Sequence, residues 1–365
     1  MNTAPTFPTA SLRNELRATW REHRWLLLIV LVHTLVAAVL LVRFPDQNDV
    51  WPMAEGFLTS LLLGPLFTLC AYTLYVMVCK RPRQLIAYLR RRIGTYVTGQ
   101  RLLHALPALL LLPLFATSFT ITKAAVPLLH PYDWDTRLAA ADRLLHGGVQ
   151  PWVWLQLLAG HPLVTAVLNL AYHLWFFIMF ATLYWLVFST VRPLLRMRFL
   201  LSFVLSWILM GNVMAVLLSS AGPCYYHLVV TGPDPYAPLM HYLHQADHRF
   251  PVMALKVQDM LWQGYRHGVG VSGLTISAMP SMHVASSVLL ALLGWRLRPA
   301  IGVALTVFAV MILAGSIHLG WHYAVDGYAG AAGAILIWTL VGRLQGHEQA
   351  PVNAAPAPAP AGSAT

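Results

Sequence analysis

Long apolar runs recur along this chain of 365 residues, and no other feature restricts its fold so severely. A stretch of about 18 or more residues with few charges satisfies its backbone in hydrocarbon only as a helix, because lipid offers no partner to a free N–H or C=O. Eight apolar runs, all but the sixth of that length, are expected to cross a bilayer, near 25–42, 54–79, 102–121, 163–190, 199–220, 283–297, 300–319 and 323–341. With 58% hydrophobic and 10% charged residues, the composition lies far from that of a soluble domain. The expected fold is therefore all-α, a polytopic helical bundle of about eight transmembrane helices. The expected division is an N-terminal part, 1–101, with an interfacial helix and two spans; a six-helix core, 102–345; and an Ala/Pro tail, 346–365, expected to be disordered.

The formal charge of +11 does not point to nucleic acid, because the basic residues cluster between apolar runs. Arg13, Arg17, Arg21 and Arg24 precede the first run, and Lys80, Arg81, Arg83, Arg90, Arg91, Arg92 and Arg101 follow the second. Arg192, Arg196 and Arg198 follow the fourth, Arg296 and Arg298 the sixth, and Arg343 the last. The positive-inside rule then puts both termini in the cytoplasm, with an integral protein of a bacterial inner membrane as the expected setting. The first apolar run is too long for a signal-peptide core and reads as a retained anchor. Cys79 and Cys224 fall on opposite faces in this topology, so the three cysteines imply no disulfide. Between the third and fourth runs, Leu138, Ala141, Leu144 and Leu145 recur at helical spacing before Gly147 and Gly148. An amphipathic helix on the outer interface, stopped by the glycine pair, is expected there.

Chemistry concentrates where polar residues interrupt the most apolar sequence. Ala278 to His283 reads Ala-Met-Pro-Ser-Met-His, and after one apolar run His318 to Asp326 reads His-Leu-Gly-Trp-His-Tyr-Ala-Val-Asp. An ionisable side chain at a membrane helix end is costly and normally faces a polar cavity. If 318–330 is helical, His322 and Asp326 share a face one turn apart, and the carboxylate fixes the imidazole tautomer, leaving the other ring nitrogen free to attack. His283 is the candidate general acid for a leaving oxygen. Pro280 suits a first helical turn, which would aim the amides of Ser281, Met282 and His283 at an anion. Two histidines, a carboxylate and a helix N-terminus describe a phosphoryl-transfer site. Ser281, Lys256, Arg266 and His318 are the candidates for holding substrate; Lys256 and Arg266 are cations in the outer loop before the first cluster. His173, within the fourth run, is a packed group or a lining residue.

At these residues the sequence resembles the type 2 phosphatidic acid phosphatase (PAP2) superfamily. Pro280-Ser281-Met282-His283 is similar to its second motif, Pro-Ser-Gly-His, and Gly315 to Asp326 resembles its third, Ser-Arg-x5-His-x3-Asp. Ile276 to His283 is most similar to the inositolphosphotransferase branch, which includes inositol phosphorylceramide synthase. The resemblance implies a six-helix core, a phosphohistidine formed on His322, Asp326 as its orienting partner and His283 as the acid, with no metal or cofactor. Met282 stands in place of the Gly, Gly315-Ser316 in place of Ser-Arg, and no Lys-x6-Arg-Pro first motif precedes Pro280. Lys80-Arg81-Pro82-Arg83 has the Arg-Pro pair but lies on the other face.

Three other readings compete. His318, His322 and Asp326 at i, i+4 and i+8 could ligate a cation with His283. A catalytically silent transporter or scaffold would use the histidines for packing or proton relay. Within the enzyme reading, a lipid or sphingoid hydroxyl as second acceptor gives a membrane phosphotransferase at the outer face, and water gives a lipid phosphate or pyrophosphate phosphatase. The partners expected are a lipid phosphate or phospholipid substrate and the bilayer. No protein partner is implied.

Overall fold

The structure, a computed structural model, describes residues 9–44, 66, 69–70, 72–267 and 275–349. Among these it is all-α, and six helical stretches are long and apolar enough to cross a membrane. The first is α1, Thr9–Arg43. The expected interfacial helix and first span are thus one continuous helix, because no Gly or Pro interrupts the sequence between Arg13 and Arg43. Most of the expected second span lies outside the described residues; a π-helical turn at Val76–Lys80 ends it, and the basic connector folds as the exposed helix α2, Leu85–Tyr96.

The core follows with α3 (Gly99–Ala124), α4 (Asp135–Leu145), α5 (Pro151–Ala159), α6 (Pro162–Phe188) and α7 (Pro193–Ile208), which continues through a π-helical turn at Leu209–Met214. As expected, α4 stops before Gly147 and Gly148, whose φ angles of 69° and 85° suit glycine. The outer loop after Ser220 carries two helices not foreseen as such, α8 (Ala237–Asp247) and α9 (Met253–Arg266). The last three are α10 (Met282–Leu297), α11 (Pro299–His318) and α12 (Ala324–Gln349). At 16 residues α10 is shorter than the six candidate spans, about 24 Å at 1.5 Å per residue.

Helices α10 and α11 form an antiparallel hairpin, so the start of α10 and the end of α11 meet at one end of the bundle. α12 leaves from that same end and packs on α10, where Gly330 lets it approach closely. A Cβ at Gly330 would sit 2.5 Å from the Ser281 carbonyl oxygen. The main core runs through α1, α3, α6, α7, α10 and α12, with Phe199, Leu200, Leu289, Leu290 and Leu293 among its fully buried side chains. Lipid-facing leucines and valines elsewhere remain exposed, as a bilayer protein requires.

Candidate active site

The site is assembled from the first turns of α10 and α12 and the turn that joins α11 to α12. Ser281 is the N-cap of α10, its hydroxyl oxygen accepting from the Val284 amide at 3.4 Å. Pro280 lies outside the helix, so the expected placement in its first turn does not hold. The Ser281 amide donates to the Asp326 carbonyl at 3.0 Å, tying α10 to α12 and removing that amide from the three expected to face an anion.

The second motif also differs from a plain helix. α11 ends at His318, and the chain turns sharply through Gly320 (φ 74°) while the amides of Trp321 and His322 both donate to the Ser316 carbonyl at 3.0 Å. Only at Ala324 does α12 begin. His322 therefore precedes the helix, and Asp326 reaches back to it from the first turn. Asp326 Oδ2 accepts from the Tyr323 amide at 3.0 Å and lies 3.4 Å from His322 Nδ1. The pair stands at ion-pair distance with no hydrogen bond formed on Nδ1, as catalytic pairs without substrate often do. The positive end of the α12 dipole favours the carboxylate there. Both side chains are buried, Asp326 completely.

His283 comes to the same place, with its ring centroid 6.2 Å from that of His322. Two side chains of α6 fix its plane: Tyr172 stacks on it at 4.3 Å and 20°, and Trp175 packs at 4.1 Å, its indole N–H donating to Ser286 Oγ at 3.0 Å. Tyr172 is also parallel to Trp321, with ring centroids 6.3 Å apart. His173, on the same helix, donates through Nδ1 to the Asn169 carbonyl at 2.7 Å. The structure thus brings His283, His322, Asp326 and Ser281 together from distant stretches of chain.

The other candidates stand apart. His318 Nε2 is 2.9 Å from Thr165 Oγ1, which in turn contacts the Tyr242 hydroxyl at 2.8 Å, so His318 is engaged on the α6 and α8 side. His318, His322 and Asp326 share no helical face, because the helix breaks between the first two. Lys256 and Arg266 are exposed on α9. A cation the sequence analysis passed over, Lys123 at the end of α3, donates from Nζ to the Gly211 carbonyl at 3.1 Å; a Cβ on Gly211 would meet the Met282 sulfur at 3.5 Å. Also missed were Asp135 and Asp142 on α4, which are almost wholly buried, whereas Leu144 and Leu145 on the same helix are exposed. Burial pushes both carboxyls above their usual range, and hydrogen bonds from backbone amides pull them back. The signal was present: two acids seven residues apart with Leu138 between them mark one helical face.

A polytopic bundle that gathers two imidazoles and a carboxylate at one end, on the first turns of α10 and α12 and the turn before α12, defines a membrane protein with a His-His-Asp site. Residues 136–340 match the family model of the PAP2 superfamily, more than half of the chain, and the chain belongs to that superfamily. No curated protein and no solved structure matches it. Membership points to phosphatase-type chemistry on lipid phosphates in a membrane.

Proposed function

We propose that the protein is a membrane phosphotransferase that moves a phosphoryl or phospho-headgroup between lipids through a phosphohistidine on His322, without a metal or other cofactor. The observation that carries this reading is the 6.2 Å approach of the His283 and His322 rings with Asp326 behind His322 Nδ1. With Nδ1 turned to the carboxylate, His322 Nε2 is the nitrogen left to attack phosphorus. The P–N bond forms as the bond from phosphorus to the leaving oxygen breaks, and His283 supplies the proton that oxygen takes. In the second half-reaction an acceptor hydroxyl attacks phosphorus, the P–N bond breaks, and His283 takes back the hydroxyl proton as base. The amides of Met282 and His283 at the start of α10 are the anion-facing donors, with Ser281 shaping that turn. In this reading Lys256 and Arg266, exposed on α9, meet a headgroup as it approaches, and His318, 2.9 Å from Thr165, supports the substrate side.

A lipid or sphingoid hydroxyl is preferred over water as acceptor because the reacting groups are enclosed. His322 and Asp326 are buried and Tyr172 and Trp175 pack on His283, and excluding water protects a reactive intermediate from hydrolysis. The sequence around Ile276 to His283, similar to the inositolphosphotransferase branch, favours the same choice. A site facing the non-cytoplasmic side is part of this reading, and the positions of Arg192, Arg296 and Arg298 at the opposite ends of their helices support it. The test is incubation of purified protein with phosphorus-labelled phosphatidic acid and phosphatidylinositol, with and without diacylglycerol or ceramide as acceptor and with and without a chelator. A new labelled phospholipid that needs the acceptor supports transfer. Free phosphate or free inositol phosphate, made equally well without acceptor, overturns transfer in favour of hydrolysis, and loss of turnover with the chelator overturns metal independence.

A further inference from the structure

His322 stands outside the helix that carries Asp326, so helical geometry alone does not hold the pair. What fixes the intervening Tyr323, Ala324 and Val325 is a pair of carboxylates from α4, in a part of the chain remote from both motifs. Asp142 takes the first two free amides of α12, Oδ2 accepting from Ala324 at 2.7 Å and Oδ1 from Val325 at 2.9 Å. Asp135 accepts the Tyr323 hydroxyl at 2.7 Å on Oδ1, which also accepts the Gly222 amide at 2.8 Å, while Oδ2 accepts the Ala221 amide at 2.9 Å. Both acids are 1% exposed. The Ala221–Gly222 segment in turn abuts the two motifs, since a Cβ at Gly222 would lie 2.6 Å from the Trp321 carbonyl oxygen and 3.2 Å from the Ala278 Cβ.

We infer that Asp142 and Asp135 are positioning residues for the phosphotransfer site: from α4 they set the start of α12 and thereby hold the Asp326 carboxylate against His322. The inference rests on the function proposed above. Its physical content is that the first turn of a helix has amides without intrahelical acceptors, and whatever accepts them decides where that turn sits. A bidentate carboxylate makes short, charge-assisted bonds to two adjacent amides and so fixes direction as well as distance. Because Asp142 occupies those amides, the α12 N-terminus is not the anion site; its role is to present Asp326. Tyr323 is held at both ends, its amide by Asp326 Oδ2 and its hydroxyl by Asp135. A shift of the α12 start would therefore move the carboxylate relative to His322, whose backbone amide the Ser316 carbonyl holds from the other side.

Orthovanadate, which adopts the five-coordinate geometry of phosphorus under attack, reports on this arrangement whatever lipid the protein uses. Its binding to the purified full chain in detergent, followed by vanadium NMR or calorimetry, is compared for wild type, Asp142→Asn, Asp326→Asn and the double variant. Asp142→Asn is expected to weaken binding by about tenfold or more, the range seen when a group that orients a ligating or reacting residue is lost. On the Asp326→Asn background the same change is expected to cost less than about twofold, since a positioning role has nothing left to position. A role confined to stability lowers the melting temperature but leaves the two losses to multiply. Wild-type affinity in Asp142→Asn, or fully multiplicative losses, overturns the inference. Should Asp142→Asn not yield folded protein, Tyr323→Phe removes only the hydroxyl that reaches Asp135 and is read in the same cycle: coupling to Asp326→Asn supports the inference, and multiplicative losses overturn it. If wild type does not bind vanadate, or His322→Ala binds it as wild type does, the phosphotransfer reading fails and the inference falls with it.

Discussion

Removing the imidazole of His322 is expected to abolish turnover in detergent while leaving the protein monodisperse, because the proposed mechanism makes the ring the nucleophile and His322 is not part of the main core. His283→Ala is expected to lower turnover by ~100- to 10,000-fold, the usual worth of a general acid. Asp326→Asn should fall in a similar range, since an amide can hold the ring but favours the wrong tautomer. Labelled-lipid turnover by purified variants checks all three, and wild-type rates in His322→Ala would remove the nucleophile assignment. These three residues could be named from sequence because an ionisable group beside an apolar run is conspicuous. What the sequence could not show is how His322 and Asp326 meet. Their spacing of four suggested a shared helical face, whereas Gly320 breaks the helix and the pairing crosses the N-cap instead. The same applies to His318, which looked like part of the cluster but points to Thr165. Side-chain direction after a turn depends on the turn, and periodicity carries no information about it.

Between elements, the tightest constraint is the crossing of α10 and α12. Gly330→Ala would place a methyl 2.5 Å from the Ser281 carbonyl and force the two helices apart. It is expected to destabilise the protein by about 1–3 kcal/mol and to lower turnover as well, because the Ser281 amide to Asp326 carbonyl bond lies at that crossing. Thermal unfolding in detergent and the turnover assay together check this; unchanged values for both would show that the helices are not in contact there. The helices themselves were largely legible: most apolar runs predict their helices within a few residues. The element most misjudged is α4. Its leucines at helical spacing suggested a face for the interface, and Leu144 and Leu145 are indeed exposed. Leu138, however, is buried on the face that carries Asp135 and Asp142 inward, where buried acids are tolerated because amides and a hydroxyl satisfy them. Partners of that kind come from residues nearly 90 to more than 180 positions away, which is why α4 read only as a surface helix.

Across the whole molecule, the N-terminal helix is fastened to the core at two levels. Near the site end, His33 of α1 lies 2.8 Å from Ser118 Oγ and 2.9 Å from Asn212 Nδ2. At the opposite end, Arg196 of α7 is fully buried, pairs with Glu22 of α1 at 2.8 Å, and donates to the Leu186 and Val187 carbonyls that end α6. From sequence Arg196 was an ordinary cytoplasmic charge; its burial follows from a carboxylate on another helix, which composition cannot reveal. Glu22→Ala leaves that guanidinium buried without its counter-ion and is expected to destabilise the protein by about 3–5 kcal/mol, with turnover per folded molecule unchanged because the cluster sits at the far end from His283. A melting curve beside an active-fraction-corrected assay checks it. The proposed mechanism stands on His322 carrying phosphorus, and trapping with phosphorus-labelled lipid donor in an alkaline denaturing quench, followed by peptide mapping at alkaline pH, measures that directly. The expected result is an acid-labile, base-stable label on the peptide containing His322, absent in His322→Ala. A label on His283, or full turnover with no phosphohistidine at any quench time, would contradict it.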